Sequence, residues 1–554
     1  MDADCPPLAY EAPNVKPRSE TRVLLASIAI FLIGFFGIFY FYPVGKIITY
    51  GLDAGVIYDV FTASSTWSVI WFTTWQALVS TFLSMIIGLF IANTLGKLKF
   101  RGRGFLKVLA TIPFVMPTVV VASAFLSLNR FLHLEGTVFD FEGSSLGIII
   151  AHVFFNTAIV ARTVGASWMQ IGMESELVAK TLGAGPIRTF FHVTLPQLKS
   201  SILASGSLAF LFTFTSFGVI LLLGGLKKAT IETEIWRYAT QRTDFNTAAA
   251  LGIAQLLIVI MMLMTNAKIR NRSKVTPETS STESYLKSRY HRFRVFAGAS
   301  FTLVFLGCPF VLLVEKSLRT PTGYSLKHYG DIFSQSNPQR FNMFAVREAI
   351  WNSLTYAGLA MVIATFLGLL AATLMTHRSQ RVTKAADIML LLPLGTSGVL
   401  IGFGIIATLH TSVLDFRSKW WIVPVAQAIL GVGFVARIVA SAIRNIDPKL
   451  KEVAMTLGAS PYRVWRHIDV PIVSRSLVAG AMFSFAIAIG EFGATAFLAR
   501  PQRPTIPTTI FNLLGRPGAA TFGQAMALSV LLALITAVVV GFLDRTGSVV
   551  GNEI

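Results

Sequence analysis

At 554 residues the chain is long enough for three or four soluble domains of roughly 100–200 residues each, but its composition excludes them. Hydrophobic residues make up 54% and charged residues 13%, about half the ~25% charged share of a soluble protein, and the mean hydropathy is +0.65. Two cysteines, Cys5 and Cys308, exclude a disulfide scaffold and a Cys-rich metal site, while 47 basic against 27 acidic residues leave a net charge of +20. In so apolar a chain that charge reports first on which side of a bilayer the loops lie. Nucleic-acid binding would need a basic face on a folded domain, and none is expected.

Charge-free runs, taken in chain order, cover residues 23–45, 60–96, 108–129, 143–161, 200–226, 245–267, 295–314, 349–377, 388–414, 420–436, 476–490 and 517–543. Ten of the twelve reach 19 residues or more, close to the ~20 that cross the hydrocarbon of a bilayer as helix. The two shorter runs end at Arg437 and Glu491 and continue apolar beyond them. Leu, Ile, Val and Phe without strict alternation predict helices rather than barrel strands. No small-residue cleavage pattern follows the first run, so it reads as a retained span. The expected fold class is an all-α polytopic membrane protein with about 12 transmembrane helices.

Orientation follows from the basic residues. With Lys16, Arg18 and Arg22 inside, most Lys and Arg fall on the cytoplasmic side, as the positive-inside bias requires. Both termini, residues 1–21 and 546–554, are then expected in the cytoplasm. The densest basic segment, residues 268–294 with its Ser/Thr-rich TPETSSTES middle, follows the sixth run. It reads as a linker between two six-span halves, residues 22–267 and 295–545.

The halves repeat each other. ELVAKTLGAGPIRTFFHVTLP begins at Glu176 and KEVAMTLGASPYRVWRHIDVP begins at Lys451, 275 residues later. The offset carries Arg162 onto Arg437, Phe217-Gly218 onto Phe492-Gly493 and Thr230-Ile231 onto Thr505-Ile506. Loops between spans are normally the variable part of a chain. Here a cytoplasmic loop is more alike between halves than most spans, and Arg188 with His192, like Arg463 with His467, gives it a basic face. Two identical partners docking on two identical loops is the expected reason, with Gly183 and Gly458 allowing a sharp turn at positive φ.

The loop resembles the E-A-A-x3-G-x9-I-x-L-P segment of ATP-binding-cassette importer permeases. The second copy, residues 449–471, supplies Glu452, Val453, Ala454, Gly458, Ala459, Ile468, Val470 and Pro471. The first, residues 174–196, supplies Leu177, Val178, Ala179, Gly183, Ala184, Val193, Leu195 and Pro196, with the same Gly-to-Pro spacing. It departs at Leu177, where the family has Glu, with Glu176 one place earlier. The resemblance implies a type I importer-like permease whose loops are coupling helices seated in two ATPase subunits. It implies an extracytoplasmic solute-binding protein as the other partner, the bacterial cell membrane as location, and no cofactor. No G-x4-G-K-[ST] occurs in the chain, so ATP hydrolysis is expected on separate subunits and this chain is not expected to be an enzyme. Fused permeases of this size resemble the thiamine, iron(III) and phosphonate branches. Ala229-Thr-Ile-Glu-Thr-Glu-Ile-Trp236 after Leu222-Leu-Gly-Gly225, with Ile112-Pro-Phe-Val-Met-Pro117, is most similar to the thiamine permeases.

Polar residues at membrane depth mark the candidate pathway, because each costs at least ~2.5–3.5 kcal/mol when charged there. Glu491 is read as the one deep carboxylate, and its repeat mate is Ser216. A pseudo-two-fold axis would bring them together, with a cationic substrate or an Arg or backbone partner holding the carboxylate, or else with Glu491 at the outer interface. His152 and its mate Gln427 sit mid-span, as do Gln76 and Asn352; helix–helix hydrogen bonding explains such residues as readily as transport. No metal-ligand spacing appears. The expected cargo is a small cationic solute, thiamine first, with iron(III) or a phosphonate as alternatives. An ion-coupled secondary transporter is the competing class, since it also duplicates its halves but has no need of a repeated docking loop.

Overall fold

A computed structural model describes residues 19–98, 100–170, 174–225, 228–272, 289–333, 343–377, 379–408, 415–416 and 419–545. Cys5, Lys16, Arg18, the middle of the 268–294 linker and the 546–554 tail lie outside the described residues.

Within the described residues, each of the twelve apolar runs falls on a helix or on a helix that breaks partway. Among the described residues nine helices are long and apolar enough to cross a membrane, or ten if Arg103–Val115 and Thr118–Phe131 count as one bent span. The shortfall from twelve straight spans has a backbone cause. The run 108–129 turns through 107° where Met116 is extended ahead of Pro117, whose ring and missing N–H disfavour a continuing helix. The described part of the run 388–414 divides into Gln380–Gly395 and Gly398–Thr408, with 409–414 outside the described residues, and that of the run 200–226 into Leu195–Phe214 and Gly218–Leu223. In the second half Val470–Gly490 stops before Glu491, and a single turn follows at Thr495–Leu498. Broken helices at this depth need their freed polar groups satisfied inside the protein. Strand structure is slight: Arg319–Thr320 pairs antiparallel with Gly323–Tyr324.

The sequence repeat is also a packing repeat. Ser64–Lys97 lies along Ser145–Gln170 in the first half, and Met343–Met375 along Ile422–Arg444 in the second. A Cβ on Gly88 would stand 2.5 Å from that of Val160, and one on Gly368 would stand 2.6 Å from that of Val435. Lipid provides no hydrophobic drive between helices, so close approach at small residues does that work. The first helix of each half crosses to the other half: Tyr42–Gly51 lies against Gly398–Thr408, and Arg289–Leu318 against Thr118–Phe131. Tyr40 Oη and Thr396 Oγ1 are 2.5 Å apart at one of these crossings. Most buried apolar side chains of both halves belong to one large cluster, with two smaller clusters beside it. Large apolar side chains such as Trp71, Phe82, Met261, Phe366 and Val538 are exposed on the outside of the bundle, where lipid rather than water meets them.

Candidate functional site

The two repeated loops fold alike, from the same local chemistry. Helices Glu174–Thr181 and Pro448–Thr456 both end on a glycine in the left-handed region, Gly183 at φ 82° and Gly458 at φ 84°. Ala184 N–H donates to Ala179 O at 2.9 Å and Gly183 N–H to Lys180 O at 3.0 Å; Ala459 N–H and Gly458 N–H repeat this to Ala454 O and Met455 O, each at 3.0 Å. This is the Schellman closure, which satisfies carbonyls that the helix end would otherwise orphan. The chain then enters helix at Pro186 and Pro461 and passes through one π turn, Phe190–Thr194 or Trp465–Asp469. It continues without a break into Leu195–Phe214 or Val470–Gly490, with Pro196 and Pro471 in the first turn.

Inside each loop one contact recurs with its chemistry exchanged. Glu176 is buried and accepts from Thr194 Oγ1 at 3.0 Å. At the equivalent pair, Lys451 Nζ meets Asp469 Oδ1 at 2.8 Å. Glu176 therefore ties the first loop together, and it does not stand in for the Glu that Leu177 replaces. The outer faces are apolar and bare: Leu182 and Leu457 are each 82% exposed, and Val178 and Val453, Ile187 and Tyr462 are exposed in matching pairs. Glu452 is exposed, while Ala179 and Ala454 are half-buried. His192 and His467 each place Nδ1 about 3 Å from the carbonyl of Arg188 or Arg463.

The inner ends of the same long helices meet a second site. Two adjoining cavities of about 250 Å³ each lie where the halves join. Small-molecule sites span about 300–1,000 Å³, so the two together are of that order. One is mainly apolar, with Phe114, Phe434 and Phe483 among its walls. The other is lined by His152, Asn156, Ser216, Ser397 and Glu491, among aromatic rings from both halves. Among the described residues no Lys or Arg lines either cavity. Phe217 and Phe492 stand there ring against ring.

Glu491 caps the helix break at which it sits. Its Oε1 accepts from Ala494 N–H at 2.8 Å and its Oε2 from Thr495 N–H at 3.1 Å, while Thr495 Oγ1 donates to Glu491 O at 2.8 Å. Backbone amides thus hold the carboxylate in place. In the first half Gln76 Oε1 lies 3.0 Å from His152 Nδ1, and Asn156 Nδ2 donates to Thr213 Oγ1 at 2.7 Å.

Of the pathway candidates, Glu491, Ser216 and His152 share the polar cavity. Gln427 is buried but is not among its lining residues, and Asn352 turns away to donate to Pro504 O at 3.1 Å. Asn156, Ser397 and Glu232 were not anticipated. Glu232 is fully buried in the first turn of Ile231–Thr240 and accepts from Gln255 Nε2. The signal for it was Gln255 itself: an amide at the centre of the apolar run 245–267 needs a partner.

The family of binding-protein-dependent transport system inner membrane components matches this chain twice, over residues 84–270 and 364–546. The thiamine transport system permease protein ThiP of Salmonella typhimurium is 25% identical over 478 residues, 83% of this chain and 86% of that protein. Its Brucella abortus counterpart is 25% identical over 513 residues, 90% of each chain. A protein described as a 2-aminoethylphosphonate transport system permease, PhnV of Salmonella paratyphi A, is 26% identical over 257 residues, 45% of this chain and 92% of its own length. The doubled match and the multi-pass helical fold agree, and the chain belongs to the binding-protein-dependent transport system inner membrane component family, as a permease subunit of an ATP-binding-cassette importer.

Proposed function

We propose that this chain forms the translocation pathway for a small organic cation, with thiamine as the best match. Residues 22–267 and 295–545 act as two halves of one pore. Loops 174–196 and 449–471 each seat one ATPase subunit, and a binding protein delivers solute from the opposite face. The termini and the 268–294 linker then lie in the cytoplasm. The observation that carries the cargo reading is the polar cavity between halves, which Glu491, His152 and Ser216 line and, among the described residues, no Lys or Arg does. A phosphonate or other oxyanion would face a carboxylate there with no cation to balance it.

The route from ATP to cavity is mechanical. Each loop runs through its π turn into a single helix, and the 20 residues of Leu195–Phe214 span about 30 Å at ~1.5 Å per residue. Movement of an ATPase subunit against Leu182 or Leu457 is carried along that helix to Ser216 or Glu491. The test is radiolabelled thiamine uptake in a strain lacking its own permease, with this chain co-expressed with its ATPase and binding protein. ATP-dependent thiamine accumulation is expected. Accumulation of a phosphonate instead of thiamine would overturn the cargo assignment.

A further inference from the structure

The break in the second half's broken helix is held from the first half. Thr396 and Ser397 separate Gln380–Gly395 from Gly398–Thr408 and line the apolar cavity, and Ser397 lines the polar one as well. Thr396 Oγ1 donates its only hydrogen to Leu392 O at 2.8 Å, so in the 2.5 Å contact with Tyr40 it is Tyr40 Oη that donates. Tyr40 is buried in the π turn Gly37–Phe41. Ser397 Oγ accepts from Leu400 N–H at 3.2 Å, which caps Gly398–Thr408, and its own hydrogen has the Glu232 carboxylate beside it. Glu232 is fixed in turn by Gln255 Nε2, which leaves its Oε2 as a buried acceptor. Neither Tyr40 nor Glu232 is among the lining residues of either cavity.

The first half builds the same break by other means. Counting from Pro113 and Pro393, which match in the repeat, Met116 and Pro117 take the places of Thr396 and Ser397. Met116 and Thr396 share an extended backbone, at ψ 138° and 135°. Pro117 enforces that bend covalently, and the helix after it starts without a side-chain cap. Serine at 397 enforces nothing, so the bend there depends on its partners. The bend also sets the wall beside Glu491: a Cβ on Gly398 would collide with Glu491 Oε1, and one on Gly493 would stand 2.9 Å from the Val399 nitrogen. We propose that Tyr40 and Glu232 are positioning residues for transport: acting through Thr396 and Ser397, they hold this bend in the shape that leaves room for cargo beside Glu491. This rests on the reading of the cavity as the pathway and adds two residues that lie outside it.

The experiment uses the full permease with its ATPase and binding protein. It reads thiamine uptake and, independently of any cargo, amide hydrogen exchange across residues 394–402, with residues 422–444 as the reference helix. Tyr40→Phe keeps the ring and removes the donated hydrogen. It is expected to raise the KM for uptake by about three- to tenfold, the range of one lost hydrogen bond, with kcat and ATPase co-purification unchanged. Exchange should quicken across 394–402 and not in the reference helix. Thr396→Val should do the same, and the two together no more than either. Glu232→Leu with Gln255→Leu removes that pair without leaving an amide unpaired, and should act likewise. Ser397→Pro installs the first half's device, so in that background Tyr40→Phe should lose most of its effect. Wild-type KM and exchange in Tyr40→Phe, or additive losses from Tyr40→Phe and Thr396→Val, overturn the proposal. Exchange that quickens equally in the reference helix also overturns it, since that marks a general loss of stability. If Ser397→Pro does not assemble with the ATPase, the Tyr40–Thr396 cycle decides alone. Absence of thiamine uptake by the wild type removes the thiamine assignment and leaves exchange to decide; normal uptake with an unchanged KM in every variant removes these two positions only.

Discussion

Phe217 and Phe492 meet with ring centroids 5.3 Å apart and planes 32° apart, and each holds the same position in its half. The contact lies at the internal two-fold relationship and places Ser216 and Glu491, one residue earlier in each copy, against one cavity. Phe511 extends the cluster at 5.6 Å from Phe492 and Trp236 at 6.1 Å from Phe217. Such aromatic pairs contribute about 0.5–1.5 kcal/mol beyond their burial. In a double-mutant cycle, Phe217→Ala and Phe492→Ala should therefore be non-additive by about that amount. Thermal unfolding in detergent measures it, and strict additivity would mean that the halves do not lean on each other here.

Gly183 and Gly458 are held at φ 82° and 84°, and a Cβ on either would meet nothing within 4 Å. Valine at these positions is therefore resisted by backbone strain and not by a clash, at about 1–2 kcal/mol for the left-handed conformation alone. Gly183→Val and Gly458→Val should leave the protein in the membrane but cost ATPase co-purification and uptake. Wild-type co-purification and uptake in both would show that the loops do not couple the two proteins.

The Glu176–Thr194 and Lys451–Asp469 contacts make the loops exchangeable in principle. Glu176→Lys alone buries a cation opposite a hydroxyl and should lower loop stability by about 3–5 kcal/mol. Adding Thr194→Asp rebuilds the second loop's ion pair in the first and should recover most of the ATPase association. A double variant as weak as the single would refute the equivalence of the two contacts.

Much of this architecture is legible in the residues. Twelve apolar runs give the helices, the 275-residue offset gives the duplicated halves, and Gly183 with Gly458 gives the turn. What hydropathy cannot show is where a helix breaks inside its run, because a break needs no charge: Met116-Pro117 and Thr396-Ser397 interrupt apolar stretches with small local changes. Glu232 was hidden for the opposite reason. It sits in a short polar-looking helix that is buried against Phe245–Arg272 and, from the other half, Gly398–Thr408, and nothing in its own segment displays that packing. Glu491 was visible as a deep carboxylate, but its partners, the amides of Ala494 and Thr495, are backbone groups that no sequence pattern displays.

The loops differ at one position that their shared fold does not erase. Leu177 and Glu452 are both exposed on their short helices, and Glu176 is already engaged inside its loop. If Glu452 meets a charged partner on the ATPase, removing it leaves that partner unpaired, at a cost of about 2–5 kcal/mol for a buried pair. Glu452→Ala should therefore impair ATPase stimulation more than Leu177→Ala. Equal or reversed losses would show that the carboxylate is not a contact.

Glu491 tests the cargo's charge. Glutamine there keeps the length of the side chain and one acceptor for Ala494 N–H, but it sets an amide NH2 beside Thr495 N–H, so part of the cap is lost along with the charge. A purely structural role predicts a lower melting temperature and uptake that falls only with protein level. A pathway role predicts something else: membrane insertion and ATPase association survive, while the KM for thiamine uptake rises by about tenfold or more, ~1.4 kcal/mol of lost cation binding. Gly398→Ala supplies the control, because its new methyl group would collide with Glu491 Oε1 and push the carboxylate from its cradle with the charge intact. If charge is what the cargo needs, Gly398→Ala should destabilise the protein yet keep a lower KM than Glu491→Gln. Matching KM values, each explained by matching losses of stability, would reduce Glu491 to the cap of a broken helix.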